Sequence, residues 1–493
     1  MDWFGWFDAR DYEVAREVLQ RGVAALALVA FISTLNQFRP LLGEHGLLPV
    51  PDLLRRASRL RGPSVFRWGY TDRRLIVVAA TGAVLAASVV LGLPQLGPPW
   101  VPLVVLLATW LLYLSIVNVG QTFYGFGWEM LLCEALFTVA LLGSQQVPPP
   151  LTIIVAVWWL VFRLEFGAGM IKIRGGREWR DLTALMYHHE TQPMPGPLSR
   201  QAHLLPPWFH RAEVLGNHVA QLVVPFLQFV PWIGPVPVGA IASAVVILTQ
   251  LWLIVTGNFA WLNWITVVLA AAAIPDSVWH AMLPVIPTEI AAGGGADAAS
   301  SPLWWVVVVL GASALLLVLS WRPLVNLVSR QQLMNASFNR WMLVNAYGAF
   351  GTVTKRRIEI VVEGTATEVP GGEGGVELDE DWHEYGFKGK PGDVRAIPRQ
   401  WAPYHLRLDW LMWFLPLGRL WEPWFEMFLL RLLQADAATL RLLAHDPFDG
   451  RAPARVRVRA YHYRFATRSE YREHRVRWMR TLEGEVMPPA ALR

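Results

Sequence analysis

The sequence predicts a polytopic α-helical membrane domain over residues 1–330, with about nine transmembrane helices, followed by a soluble β-rich (α+β) domain over residues 331–493. Three observations carry this. Of the 493 residues, 54% are hydrophobic and only 16% charged, against about 25% charged in soluble domains. Long apolar runs recur as far as residue 321. Beyond it they give way to alternating polar and apolar residues, a strand signal. The 26 Trp agree, because indole favours the membrane–water interface.

A span needs about 20 mostly apolar residues. Residues 75–93, Trp100–Val117, Val238–Thr256 and 303–321 approach this without a charge. Residues 18–35 hold only Arg21, near their start, and 259–274 are slightly short but uncharged. Three stretches are less clean: 128–142 with Glu129 and Glu134, 151–172 with Arg163 and Glu165, and roughly 214–232. Charge tests the count. The connection 36–74 carries Arg39, Arg55, Arg56, Arg59, Arg61, Arg67, Arg73 and Arg74, and 173–213 carries Arg174, Arg177, Arg180, Arg200 and Arg211. The connections before Trp100, around Pro149, around Pro231 and across 275–302 have no Lys or Arg. Nine spans put both basic connections on one side, with Arg322 and Arg330, and the Lys/Arg-free ones on the other. The positive-inside rule then expects a cytoplasmic C-terminal domain.

In that domain, residues 357–363 and Arg455–Phe465 alternate as half-buried strands do. Residues 364–380 read as a Gly/Glu-rich loop, 382–388 as a second strand, and 423–434 and 436–444 as short helices.

Net charge +5 and pI 9.4 come without a basic patch joined to a nucleic-acid-binding motif, so no nucleic-acid partner is expected and membrane lipids are. The single Cys133 excludes an intrachain disulfide, a C-x-x-C pair and a Cys-based zinc site. The first 17 residues are acidic-aromatic, unlike a cleavable signal peptide. No G-x-S-x-G elbow or P-loop is present, and the Gly120–Gly125 spacing is not followed by Lys.

Ionisable groups at membrane depth are functional candidates. Glu165 and Lys172 lie seven residues apart, two helical turns along one face. Gly167, Ala168 and Gly169 between them permit close approach by another helix or a substrate. Two readings stand: a buried acid–base pair with Lys172 as general base, or a structural ion pair with Lys172 snorkelling to the interface. Residues 179–218 bring His188, His189, Glu190, His203, His210 and His218 into one Pro-rich stretch. Imidazole with carboxylate suits zinc or non-haem iron. Without H-E-x-x-H or another tight spacing, the stretch reads as an interfacial loop and no metal is assigned. The Arg/Tyr alternation of Arg455–Phe465 reads as a solvated sheet face. No internal repeat points to a transporter.

At N-V-G-Q-T-F-Y-G-F-G-W-E (118–129) the sequence resembles the lipase maturation factor family. The resemblance continues through W-R-D-L-T-A-L-M-Y-H-H-E-T-Q-P-M-P-G-P-L-S (179–199), P-P-W-F-H (206–210) and N-H-V-A-Q-L-V-V-P-F (217–226). Further blocks are Q-F-R-P-L-L-G-E-H-G-L-L-P (37–49), N-A-Y-G-A-F-G-T-V-T (345–354), W-H-E-Y-G-F-K-G-K-P-G (382–392) and P-Y-H-L-R-L-D-W-L-M-W-F (403–414). It implies a membrane-resident factor that helps secreted client proteins, lipases among them, reach an active folded state. In animal members this happens in the endoplasmic reticulum, with the C-terminal domain lumenal and meeting clients. The basic connections of this sequence oppose that side, which stays open. Its Arg/Ala/Gly-rich, Lys-poor composition points to a bacterial plasma membrane.

Within these blocks the candidate binding residues are Asn118, Gln121, Arg180, His210, Asn217, His218, Trp382, Tyr385, Lys388, Tyr404, Arg407 and Trp410, with His203 between two of them. F-G-A-G-M-I-K-I-R-G-G-R-E-W (166–179) also resembles the segment around the catalytic lysine of vitamin K-dependent gamma-carboxylases. That implies an alternative, a membrane enzyme acting on a lipid or quinone-like molecule, with Lys172, Glu165, His188 and Glu190 as candidate catalytic residues. The non-enzymatic folding factor leads, since no complete catalytic motif is present and the C-terminal domain carries conspicuous aromatics (Trp382, Tyr385, Tyr404, Trp410, Trp413 and Trp424) that suit client recognition if exposed; the cofactor is unknown.

Overall fold

The computed structural model describes residues 5–56, 62–283, 300–367 and 381–492; most of the expected Gly/Glu-rich loop, 368–380, lies outside them. The first helix, α1 (Glu13–Leu42), is about 45 Å long at 1.5 Å per residue. Its orphan N-terminal amides are met from far along the chain: the Asp276 carboxylate accepts from Glu13 N at 2.8 Å and Val14 N at 3.0 Å. Around α1 pack α2 (Asp72–Val90), α3 (Trp100–Val117) and α4 (Gly127–Ala140), and α5 (Leu151–Arg174) packs on α4.

Next come two shorter helices, α6 (Leu185–Thr191) and α7 (Pro207–Leu222), then α8 (Val238–Thr256), α9 (Leu262–Ala270), α10 (Asp276–Met282), α11 (Leu303–Leu319) and α12 (Trp321–Val328). Among the described residues, six helices are long and apolar enough to cross a membrane, or seven if the bent pair Leu262–Ala273 and Asp276–Met282 is one span. The chain is a multi-pass membrane protein.

The expected nine are not reached, for two physical reasons. Helix α4 has only 14 residues and is almost wholly buried, so protein rather than lipid solvates it and Glu129 and Glu134 can sit within it. Helix α7 is amphipathic, and the chain is interrupted at Val223 before the four-residue turn Val224–Leu227, with Pro225 inside it.

The C-terminal region holds a four-stranded antiparallel sheet in the order β2-β1-β3-β4, formed by β1 (Arg357–Thr365), β2 (His383–Glu384), β3 (Arg455–Phe465) and β4 (Trp478–Ala490). The expected strand at 382–388 shrinks to two residues, and β4 is an edge strand absent from the sequence reading. Two helices lie between β2 and β3 in the chain: α13 (Arg407–Met412), which packs on the turn Gln121–Tyr124, and α14 (Pro423–Leu433), which packs on β3. The expected helix at 436–444 is only Ala437–Leu440.

The alternation of β1 does not give a wet face. Arg357, Glu359 and Glu363 are all buried, with Arg357 and Lys390 both paired to Glu359. Arg357 also donates to the carbonyls of Glu190 (2.8 Å), Gln192 (2.5 Å) and Pro193 (3.0 Å). Nor is β3 the solvated face expected: Tyr461, Tyr463 and Phe465 pack with Val361 and Trp478, and Arg455 and Arg457 are buried.

Candidate functional site

Three buried polar clusters and one cleft hold most of the candidate residues. The first lies where α5, α7 and α8 meet. Lys172 Nζ donates to Asn217 Oδ1 at 3.0 Å and Gln221 Oε1 at 2.8 Å, and sits 4.8 Å from the ring centre of Trp179. Glu165 accepts from Gln221 Nε2 at 3.1 Å and Gln250 Nε2 at 2.7 Å. Lysine and carboxylate are therefore linked through the amide of Gln221, not by a direct ion pair. The small residues act as expected, with a different neighbour at each. A Cβ on Gly167 would lie 2.5 Å from the carbonyl oxygen of Tyr347, and one on Gly169 2.7 Å from Leu222.

The histidines form the second cluster. The His188 ring stacks parallel to Phe259 (centroids 6.1 Å apart) and edge-on to Phe350. Burial, then the charges of His189 and Lys172, push its pKa down to about 3, so it is a neutral core residue. Glu190 accepts from Phe465 N at 2.7 Å and lies 3.4 Å from His203 Nε2, joining the loop to β3. His210 and His189 both face Glu213, while His218 Nε2 lies 3.0 Å from the Trp179 carbonyl. Arg180 is exposed.

The third cluster joins the helix bundle to the C-terminal domain. Arg407 Nη1 donates to Glu129 Oε1 at 2.6 Å and the Phe123 carbonyl at 2.7 Å, with its guanidinium 3.4 Å from the ring centre of Tyr124. Tyr113 donates to the same carboxylate. His405 Nδ1 is 3.8 Å from Glu129 Oε1, and its ring is enclosed by Phe126, Trp128, Trp261 and Trp410. Gln37 of α1 bonds the His405 carbonyl and Arg407 N. Asn118 and Gln121 donate to the carbonyls of Pro63 and Leu48.

Of the remaining candidates, Trp382 and Tyr385 are core side chains, and Arg457 lies over the Trp382 ring. Lys388 and Tyr404 line a cleft of about 910 Å³ with Asn36, Arg39, Trp401 and Arg441. Sequence reasoning missed Glu213, Gln221 and Gln250. Glu213 was within reach, three residues after His210 and on the same helix face.

The family model of the lipase maturation factor transmembrane domain matches residues 14–281, and that of the lipase maturation factor C-terminal domain matches residues 343–488. The chain is 35% identical to lipase maturation factor 1 of Bos taurus, over 98% of this chain and 90% of that one. With lipase maturation factor 1 of Homo sapiens it shares 36% identity over 97% and 88%. With lipase maturation factor 2 of Homo sapiens it shares 28% over 97% and 82%. No solved structure matches the chain. With both halves matched in order and relatives above 30% identity along nearly its whole length, this chain belongs to the lipase maturation factor family.

Proposed function

We propose that the protein is a membrane-resident, non-enzymatic maturation factor for secreted clients, lipases first among them. One observation carries the reading: relatives named lipase maturation factor match 97–98% of the chain, helices and C-terminal domain together. In this reading residues 1–330 hold the factor in the membrane and residues 331–493 meet the client. Client contact falls to exposed apolar residues such as Ile397, Leu417 and Trp421, since the aromatics Trp382, Tyr385, Trp410 and Trp424 are buried. A bacterial plasma membrane finds no support in these relatives, which are animal proteins.

The test is rescue. In cells lacking their own factor, expressing this chain with a secreted lipase should raise active lipase in the medium several-fold at equal lipase synthesis. Equal activity with and without it would remove the proposal. Lys172→Met separates the alternative, because two amides and an indole already occupy its ammonium group. Rescue should fall only as far as protein abundance falls. Lost rescue at normal abundance would support an enzyme with Lys172 as base.

A further inference from the structure

Between α6 and α7, three side chains converge in a way hydrogen bonding alone does not explain. His189 Nε2 lies 3.2 and 3.3 Å from the two oxygens of Glu213, and His210 Nδ1 lies 3.4 Å from Oε2. All three ligand atoms fall within 4.8 Å of one another, and both imidazoles are buried, at 1% and 2% exposure. The other nitrogen of His210, Nε2, is 3.2 Å from the His203 carbonyl oxygen, which can only accept, so Nε2 carries the proton. In the neutral ring Nδ1 is then a lone pair aimed at a carboxylate, and something positive must lie between them.

Spacing separates a proton from a metal. A charge-assisted N–H to carboxylate bond closes to about 2.7–2.9 Å. Ligand atoms bound tetrahedrally at 2.0–2.1 Å are about 3.4 Å apart, close to the 3.2–3.4 Å found from each imidazole to Glu213, while the two imidazole nitrogens lie within 4.8 Å of each other. The surroundings fit as well. Trp252 Nε1 donates to Glu213 Oε1 at 2.5 Å, fixing the carboxylate, and the His210–carbonyl bond is the outer contact that orients a ligating imidazole.

We propose that His189, His210 and Glu213 bind one divalent transition-metal ion, zinc by this donor set, which ties α6 to α7 and leaves a coordination position open. The full-length protein, purified without chelator, should carry about one zinc per chain by elemental analysis. After zinc removal, added Co²⁺ should give the visible absorption of a tetrahedral site. Glu213→Gln and His210→Asn should abolish both, whereas Trp252→Phe should weaken affinity about 10–100-fold and keep the band. In the unmutated protein, chelation should lower the unfolding midpoint and zinc should restore it, which keeps the test open even if a variant does not fold. Less than a tenth of an ion per chain, no cobalt band, and a midpoint indifferent to chelator and zinc would overturn the site and leave a proton-bridged cluster.

Discussion

At the scale of single residues, Arg407 and His405 stand at the buried contact between the C-terminal domain and the helices. The Arg407 and Glu129 side chains are both fully buried, so removing one partner strands a charge, a loss of about 3–5 kcal/mol. We predict that Arg407→Met lowers the unfolding midpoint sharply and that adding Glu129→Gln recovers part of the loss; a double variant no better than the single would contradict the pairing. His405 supplies a pH dependence. Burial drives its pKa down to about 4, with Arg407 adding to the fall and Glu129 opposing it. The depressed value means the unfolded chain binds the proton first. The contribution is therefore whole above about pH 6.5 and is lost as pH falls from there towards 4, on the order of 3 kcal/mol in all. Between pH 7.5 and 5 the midpoint should drop more in the native protein than in His405→Gln, and parallel pH profiles would count against it.

At the scale of elements, the long uncharged helices were legible because lipid-facing surface demands unbroken hydrophobicity, and α3, α8 and α11 carry it. What failed was legibility of elements solvated by protein. Helix α4 is short and acidic because its neighbours, not lipid, satisfy Glu129 and Glu134. The polar face of β1 is buried because Arg357 finds three carbonyls in the last turn of α6 and just after it. Strand β4 escaped notice because an edge strand tolerates the Pro488–Pro489 pair and a bulge at Gly484, where φ is +158°, and neither reads as strand. The histidine cluster escaped because His189 and Glu213 are 24 residues apart and the turn between α6 and α7 brings them together. The Gly167 contact is testable at this scale. Its missing Cβ faces a backbone carbonyl that cannot yield, so Gly167→Ala should destabilise by about 1–3 kcal/mol. Gly216 in α7 meets nothing within 4 Å, and Gly216→Ala should stabilise by about 0.5–1 kcal/mol. Thermal unfolding of the two variants should move in opposite directions, and a shared sign would show that the helix contacts are misassigned.

At the scale of the whole molecule, the question is which side of the membrane meets the client. The C-terminal half of α1 and the turn after it bind the C-terminal domain, through Ser33 and Gln37 and through the His45 carbonyl. The opposite ends of the helices meet where Gln146 donates to the Leu96 carbonyl and Arg16 to the Ser144 carbonyl. Arg56 and Arg472 therefore belong to one face and Gln146 to the other, and all three are exposed. The sole native thiol, Cys133, is fully buried, so introduced cysteines can be read against a silent background. We predict that a membrane-impermeant maleimide added to intact cells or sealed vesicles labels Arg56→Cys and Arg472→Cys together, and Gln146→Cys only from the opposite side. Labelling of Gln146→Cys with the other two would refute this arrangement of the chain. The absolute side then weighs charge against function. Arginine collects at the Arg56 face, which the positive-inside rule puts in the cytoplasm, whereas the proposed function requires a secreted client to be met on the far side. If Arg472→Cys labels from outside, the arginines of that face are held by the structure, as Arg174 is by the Leu327 carbonyl and Gln332, and the C-terminal domain is free to meet the client. If it labels from inside, client contact moves to the Gln146 face, where the exposed Trp6, Leu96 and Trp100 become the residues to mutate.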